Sequence, residues 1–196
     1  MTARSSDIVI IGAGIAGLVA AHECLDNGRS VTLVERHDEE HVGGLARWAF
    51  GGMALVGTPL QKRLGIKDTP ELALADWRSF AEFGADDTWP QEWAQAYVEQ
   101  SAERVFHWLR DKGMRFMPAV NWVERGDFLP GNSVPRYHIL WGTGIGLVER
   151  FVELLAAHPH RDKLHYVFGC RVDELIEEGG RIAGCRGEIE AVSYTH

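Results

Sequence analysis

The apolar positions near the start of the chain follow two different periods. DIVIIGAG at 7–14 is a short apolar run ending in glycines, which predicts a fully buried strand and then a turn. The next apolar positions recur at helical spacing: Ile15, Leu18, Val19, His22 and Leu25. Gly28 supplies a helix stop, and SVTLVER at 30–36 is again strand-like. Strand, helix and strand within about 30 residues make a βαβ unit, which predicts a parallel sheet covered by helices.

The middle of the chain changes to a helical pattern. KDTPELALADWRSFAEFG at 67–84 predicts a helix with Thr69 as N-cap, Pro70 at its first position and a stop at Gly84. Residues 90–113 predict a longer helix. Its apolar side, interpreted as core, comprises Trp93, Tyr97, Val105, Trp108 and Leu109. MRFMP at 114–118 is strand-like, and 118–145 is rich in Gly, Pro and Asn, which predicts a loop that lines something.

The last third of the chain predicts a helix, a strand and a hairpin. GLVERFVELLAAH at 146–158 is amphipathic, and LHYVF at 164–168 is strand-like. CRVDELIEEGGRIAGCRG at 170–187 predicts two antiparallel strands that turn at Gly179-Gly180. The fold class that follows is α/β.

Composition narrows the class of protein. The hydrophobic fraction of 45% and the charged fraction of 24% are those of a globular domain. A net charge of -8 argues against nucleic acid as a partner. The N-terminus has no apolar leader and no apolar run spans a bilayer, so we expect a cytoplasmic protein. Cys24, Cys170 and Cys185 form no CxxC pair and are interpreted as buried free thiols.

A dinucleotide-binding motif follows the first predicted strand. Gly12, Gly14 and Gly17 form G-x-G-x-x-G, where the glycines serve a tight turn, a close backbone approach to pyrophosphate and helix packing. The helix N-terminus favours the anion. Glu35 stands at the end of the second strand, at about the spacing of an acid that binds a ribose diol. Because a carboxylate would repel a 2′-phosphate, NADP is the least favoured dinucleotide.

Two glycine pairs follow that acid, in VGGLARWAFGGM at 42–53. An NAD dehydrogenase usually places a crossover helix here, whereas this segment predicts a loop that continues along a ligand. At this point the chain resembles the FAD-dependent fumarate reductase, succinate dehydrogenase and ketosteroid dehydrogenase superfamily. The resemblance rests on residues 7–36, on GGLARWAFGGM, on GNSVPRYHILWGTGIG at 131–146 and on the hairpin.

The resemblance implies a fold, a cofactor and binding residues. The fold would be a Rossmann-like FAD-binding domain, made of 1–60 and 140–188, with a helical and loop insertion at 61–139 and a tail at 189–196. Glu35 would bind the adenosine ribose, with Arg36 beside it, and Ala16 would belong to the pyrophosphate turn. Gly43-Gly44 would pass beside the pyrophosphate and ribityl chain, Gly51-Gly52 near the flavin, and Val172 would reach the adenine. The alternative for the glycine pairs is a mobile surface loop.

Arg136 and His138 are weak catalytic candidates. Arg136 could balance an anionic reduced flavin and His138 could relay a proton. The alternative is that Arg136 pairs with an acid and His138 packs under Trp141.

We interpret His158, His160 and His165 as a helix exit, so no metal site is expected. The residues around His37 and His41 do not match a covalent attachment motif, and we therefore expect non-covalent FAD.

The expected function is the FAD-binding portion of a flavin-dependent dehydrogenase. The resemblance implies hydride transfer between an organic small molecule, at a C–C bond next to a carbonyl, and flavin N5. It also implies an N-terminal fragment that lacks the substrate domain, exposes apolar surface and holds FAD weakly, unless a homo-oligomer covers that surface. An NAD-dependent Rossmann dehydrogenase and a non-catalytic nucleotide-binding module remain the alternatives.

Overall fold

The computed structural model describes residues 4–122, 128 and 130–189. The chain forms two compact units, one from Met1–Ala49 with Gly144–His196 and the other from Phe50–Thr143. The domain boundaries expected from the sequence, at 60 and 140, both lie inside the second unit. The strand before that unit, at 31–34, pairs with the strand after it, at 164–167. Composition does not reveal this pairing.

The regular elements are as follows. The helices are α1 (Ile15–Asp26), α2 (Pro59–Arg63), α3 (Pro70–Ala81), α4 (Thr88–Ser101), α5 (Trp108–Asp111) and α6 (Thr143–Ala156). The strands are β1 (Ile8–Ile11), β2 (Val31–Val34), β3 (Gly52–Ala54), β4 (Phe116–Asn121), β5 (Tyr137–Leu140), β6 (Leu164–Val167), β7 (Cys170–Glu178) and β8 (Arg181–Ile189). Short 3₁₀ turns cover Glu39–His41, Gly44–Trp48 and Arg161–Lys163, and a π-helix covers Ala102–His107.

The first unit is built on a parallel sheet in the order β1-β2-β6. Its core joins Leu18 and Leu25 of α1 to Val148 and Phe151 of α6, all four with no exposed surface. The predicted βαβ unit and the α/β class are confirmed. The expectation of a fully buried first strand is wrong, because β1 has only β2 as a neighbour among the described strands and Ile11 is 53% exposed.

The hairpin of β7 and β8 completes the described part of this unit. Gly179 and Gly180 have φ of 59° and 77°, the left-handed pair that a tight type I′ turn requires. The predicted turn is therefore confirmed. The three cysteines are free thiols and are partly rather than fully buried.

The second unit carries an antiparallel sheet in the order β3-β5-β4. The expectation of loop throughout 118–145 is wrong, because β4 extends to Asn121, β5 crosses 137–140 and α6 begins at Thr143. The side chains of β5 alternate between half-buried and buried, as a strand requires. Its signal was hidden because one of the two buried positions is His138, which breaks the apolar alternation.

The helices of the second unit confirm one prediction and correct another. The side chain of Thr69 accepts the N–H of Leu72 and caps α3, with Pro70 at the first position as predicted. The single helix predicted over 90–113 is α4, the π-helix and α5. Trp93 is 73% exposed, so its assignment to the core is wrong.

The buried face of this helical segment includes the predicted Leu109, and the predicted Tyr97 and Val105 pack against the core, but other residues of that face were not predicted. Ala94 and Val98 of α4 are buried, and Val98 packs with Ala73 of α3. The wider π-turn then changes the helical phase and directs Phe106 inward. A constant 3.6-residue period therefore identifies part of the buried face and misses Phe106. In the described part of the chain, no helix has the length and apolar character that a membrane span needs.

Candidate functional site

The glycine motif forms a tight turn between β1 and α1. Gly12 donates its N–H to the Val34 carbonyl at 2.7 Å, which joins the turn to the end of β2. A Cβ on Gly17 would lie 2.0 Å from the Gly12 carbonyl oxygen, so only glycine allows this contact between helix and turn. A Cβ on Gly14 would meet no atom within 4 Å. The turn is therefore tightly packed at Gly17 and open at Gly14.

Open space at Gly14 coincides with the start of a helix. Gly14 is the N-cap of α1 and provides no side-chain cap. The first N–H groups of the helix consequently have no side-chain acceptor at the cap, and they point along the positive end of the helix dipole. A diphosphate group suits this position in both charge and hydrogen bonding.

Glu35 lies directly beside this turn. Its carboxylate is buried and accepts the N–H of Ala13 at 2.7 Å through Oε2 and that of His37 at 2.9 Å through Oε1. Each carboxylate oxygen can accept more than one hydrogen bond. The two backbone donors therefore fix the orientation of Glu35 and leave acceptor capacity for a diol.

The first glycine pair of the loop also contacts the turn. Gly43 donates its N–H to the Ala13 carbonyl at 2.8 Å and forms an isolated parallel bridge with Gly14. Its φ is 104°, and a Cβ would lie 2.4 Å from the side chain of Val148 on α6. Position 43 needs glycine for both reasons. In this unit the loop is anchored, which counts against the alternative of a mobile surface loop.

The other expected cofactor residues are placed as follows. Ala16 is exposed on the first turn of α1, Arg36 is exposed after β2, and Val172 is half-buried on β7 opposite Gly187. Gly51 and Gly52 belong to the second unit. A Cβ on Gly52 would lie 2.2 Å from the ring of Tyr137, so close packing within that unit already requires a glycine there. The proposed contacts of all these residues with FAD stay predictions.

Arg136 lies in a buried ion cluster of the second unit. Its guanidinium reaches Asp68 at 2.8 Å and Asp76 at 2.6 Å, and it also donates to the side chain of Asn132. Burial raises the pKa of Asp76, but hydrogen bonds from Ser133 and Arg136 outweigh it and hold that pKa below its ordinary value. The geometry matches the alternative in which Arg136 pairs with acids.

His138 is fully buried next to that cluster. Its Nδ1 lies 2.6 Å from the Arg136 carbonyl, which only accepts, so Nδ1 carries the proton. Nε2 then accepts from the Thr58 hydroxyl at 2.8 Å. Burial lowers the pKa of His138 below its ordinary value, in agreement with a neutral ring. The ring packs against Phe106 and Phe116, while Trp141 is 69% exposed.

The first unit contains a cluster of two histidines and an aspartate that the sequence did not predict. Asp26, the last residue of α1, lies 3.0 Å from His22 Nδ1 and 3.0 Å from His158 Nε2. The N–H of His160 donates to His158 Nδ1, so the proton of that ring is on Nε2 and points to Asp26. Because a metal would need the Nε2 lone pair, this geometry favours a histidine–carboxylate cluster centred on Asp26 over a metal site. His22 and Asp26 are one helical turn apart, but His158 is too distant in sequence for spacing to reveal its contact with Asp26.

Comparison with known proteins identifies the family. Residues 7–194 match the family described as "FAD binding domain". This chain belongs to the FAD binding domain family. The expectation of FAD as cofactor and the superfamily resemblance are thereby confirmed.

Two relatives of this FAD binding domain are steroid dehydrogenases. A "KsdD-like steroid dehydrogenase" of Mycolicibacterium smegmatis is 47% identical over 190 residues, covering 94% of this chain and 34% of that protein. One of Mycobacterium tuberculosis is 45% identical over 189 residues, covering 94% of this chain and 33% of that protein. The chain thus spans about a third of the length of these curated relatives.

Solved structures agree with this assignment. A 3-ketosteroid-Δ4-(5α)-dehydrogenase of Rhodococcus jostii RHA1 has a TM-score of 0.76 at 25% identity, covering 93% of this chain and 42% of that one. An open flavocytochrome c3 fumarate reductase has a TM-score of 0.74 at 23% identity, covering 92% of this chain and 29% of that one, and shows the fold alone. The residues of the first unit fit the cofactor, since the space at Gly14 and the fixed Glu35 carboxylate suit a diphosphate and a ribose.

The second and third glycines of the motif should separate binding from folding. Gly14→Ala has a compatible φ of -68° and open space, so its urea midpoint should match the wild type while the Kd for FAD rises at least about tenfold. Gly17→Ala should lower the free energy of unfolding by about 1–3 kcal/mol, because the methyl overlaps the Gly12 carbonyl. An FAD titration and urea unfolding measure both. Wild-type FAD affinity in Gly14→Ala would remove Gly14 from the site.

His138 should make stability depend on pH. Its folded pKa lies below the ordinary value of about 6.5, so at lower pH the unfolded chain binds more protons and stability falls as pH drops. His138→Gln should therefore lose less free energy of unfolding than the wild type between about pH 7.5 and about pH 5.5, an interval on either side of the ordinary pKa. Urea unfolding at the two pH values measures the loss. His165→Gln, at an exposed histidine, is the control. Equal losses in His138→Gln and the wild type would contradict the assignment.

Proposed function

We propose that this chain provides the part of a FAD-dependent dehydrogenase that binds the cofactor without a covalent bond. The observation that carries the proposal is the Glu35 carboxylate, buried and oriented by two backbone N–H groups beside the open turn at Gly14. A flexible surface glutamate would have to be ordered by the ligand. This one is already held, which favours binding.

The proposed contacts follow the cofactor along the chain. The turn at Gly12–Gly17, including Ala16, holds the diphosphate, and Glu35 accepts hydrogen bonds from the ribose with Arg36 beside it. Gly43-Gly44 follows the ribityl chain and the Val172 backbone contacts the adenine. Gly51-Gly52 approaches the flavin ring. The anchoring of Gly43 to Ala13 supports the third of these assignments.

Bound FAD supplies hydride-accepting chemistry at a C–C bond next to a carbonyl. We propose a steroid ketone as the substrate class, supported by the two steroid dehydrogenase relatives. The contacts of Arg136 and His138 favour a positioning role for both, since the guanidinium and both ring nitrogens already have partners within the second unit. A cytoplasmic location and a homo-oligomer complete the proposal.

Replacing Glu35 tests this function. Glu35→Ala should weaken FAD binding at least about tenfold, because it removes the acceptor for the ribose hydroxyls. It should also lower the free energy of unfolding by about 1–3 kcal/mol, since it leaves the N–H groups of Ala13 and His37 without their acceptor. FAD uptake is measured by the flavin absorbance at roughly 450 nm.

Two further variants sharpen the result. Glu35→Gln keeps the volume and one oxygen acceptor, and should fall between Glu35→Ala and the wild type. Glu23→Ala removes an exposed acid of α1 and should behave as the wild type. If Glu35→Ala binds FAD as tightly as Glu23→Ala, Glu35 does not bind the ribose. Stabilisation by NAD but not by FAD would favour a pyridine-nucleotide dehydrogenase.

A further inference from the structure

A cavity suited to a ligand lies within the second unit. It has a volume of about 370 Å³ and opens between the end of α2, the π-helix, α5 and the start of β4. That volume is within the range of small-molecule sites. None of its lining residues belongs to the glycine motif or to the Glu35 loop, which are in the first unit.

Three arginines from three separate elements line this cavity. Arg63 ends α2, Arg110 lies in α5 and Arg115 directly precedes β4. All three are exposed. Among the described residues, the arginines that form ion pairs with carboxylates are others: Arg136, Arg150, Arg171 and Arg186. The guanidinium of Arg110 lies 5.8 Å from the centre of the Phe106 ring, a cation–π contact that leaves its N–H donors available.

The charge of this cavity contrasts with the rest of the chain. The net charge is -8, and the buried Arg136 of the same unit is matched by Asp68 and Asp76. Three guanidinium groups with no ion-pair partner in the described part of the chain therefore give this cavity a positive field in an acidic protein. Guanidinium forks bind carboxylate and phosphate oxygens in a bidentate manner, which makes an oxyanion the matching ligand group.

The floor of the cavity is apolar and flat. Phe106 and Phe116 stack with ring centroids 4.8 Å apart at an interplanar angle of 13°, and Leu60 lies beside them. Leu60 and Phe106 are buried, while Phe116 is half-buried. Such a floor suits the planar or aliphatic body of a molecule rather than a free inorganic ion.

We propose that this cavity binds an organic oxyanion, with its apolar body on the stacked phenylalanines and its acidic group on the arginines. The acidic group is a carboxylate or a phosphate ester, which share this chemistry. The lining of the cavity shares no residue with the proposed FAD contacts, so the two proposals can fail independently.

Calorimetry on the FAD-saturated chain tests the site with four probes: 2-naphthoate, 2-naphthyl phosphate, 2-naphthamide and inorganic phosphate. The two naphthyl anions should bind, and the tighter of them identifies the acidic group. The neutral amide should bind at least about tenfold more weakly, because it forms no charge-assisted hydrogen bonds. Inorganic phosphate should also bind more weakly, since it leaves the apolar floor unused. Affinity should fall as salt is raised, because the arginines are exposed.

Four variants locate the binding. Arg63→Gln, Arg110→Gln and Arg115→Gln should each weaken the naphthyl anions about tenfold, with unchanged urea midpoints and FAD uptake. Arg78→Gln, at an exposed arginine of α3 outside the cavity, is the matched control and should retain wild-type affinity.

Several results would overturn the proposal. These are no binding of either naphthyl anion at millimolar concentration, equal affinity for the amide and the acid, or an equal loss of affinity in Arg78→Gln. Loss of FAD uptake in the three cavity variants would also overturn it, because it would assign the arginines to the cofactor instead.

Discussion

The peptide groups on either side of Ala13 hold the nucleotide-binding end of the first unit together. The Ala13 N–H donates to Glu35 and its carbonyl accepts from Gly43, so one buried residue joins the turn, the acid and the loop. Its hydrogen bonds are made without bulk water, which makes each expensive to lose. Glu35 adds a second connection through its backbone, since it donates to Val167 and accepts from Cys170. The position of every proposed FAD contact in this unit depends on these bonds.

In the second unit, a buried ion cluster connects segments that lie outside the paired strands. Arg136 connects α3 to the segment before β5 through Asp68 and Asp76, and Gln61 extends the cluster by donating to Asp68. A buried ion group of this kind costs desolvation, and removal of one partner leaves an uncompensated charge. Its contribution is therefore to specify how these segments meet, more than to add net stability.

The sequence predicted those elements whose signals are local. The βαβ unit, the cap of α3 at Thr69 and the turn at Gly179-Gly180 each depend on a few adjacent residues, and all were correct. The glycine motif and Glu35 were likewise recognised because their chemistry fixes their spacing. The superfamily resemblance supplied the preference for FAD.

The predictions that were wrong concern residues whose structure depends on contacts with residues distant in the sequence. β5 is a strand because β3 and β4 lie on either side of it, although its buried positions include a histidine. Trp93 is exposed because α4 uses the smaller Ala94 and Val98 for packing, and because the π-helix shifts the phase beyond them. The ion pairs of Arg136 and the contact of His158 with Asp26 join residues far apart in the chain, which no spacing rule can reveal.

The exposed strand β1 has a practical consequence. Among the described strands it pairs only with β2, so its other edge presents backbone donors and acceptors next to apolar side chains. Such an edge can pair with a strand of another molecule, which leads to aggregation at high protein concentration. Bacterial overproduction of this chain should therefore yield more inclusion bodies as expression rises, and a charged residue introduced on that edge would be the first measure for improving recovery.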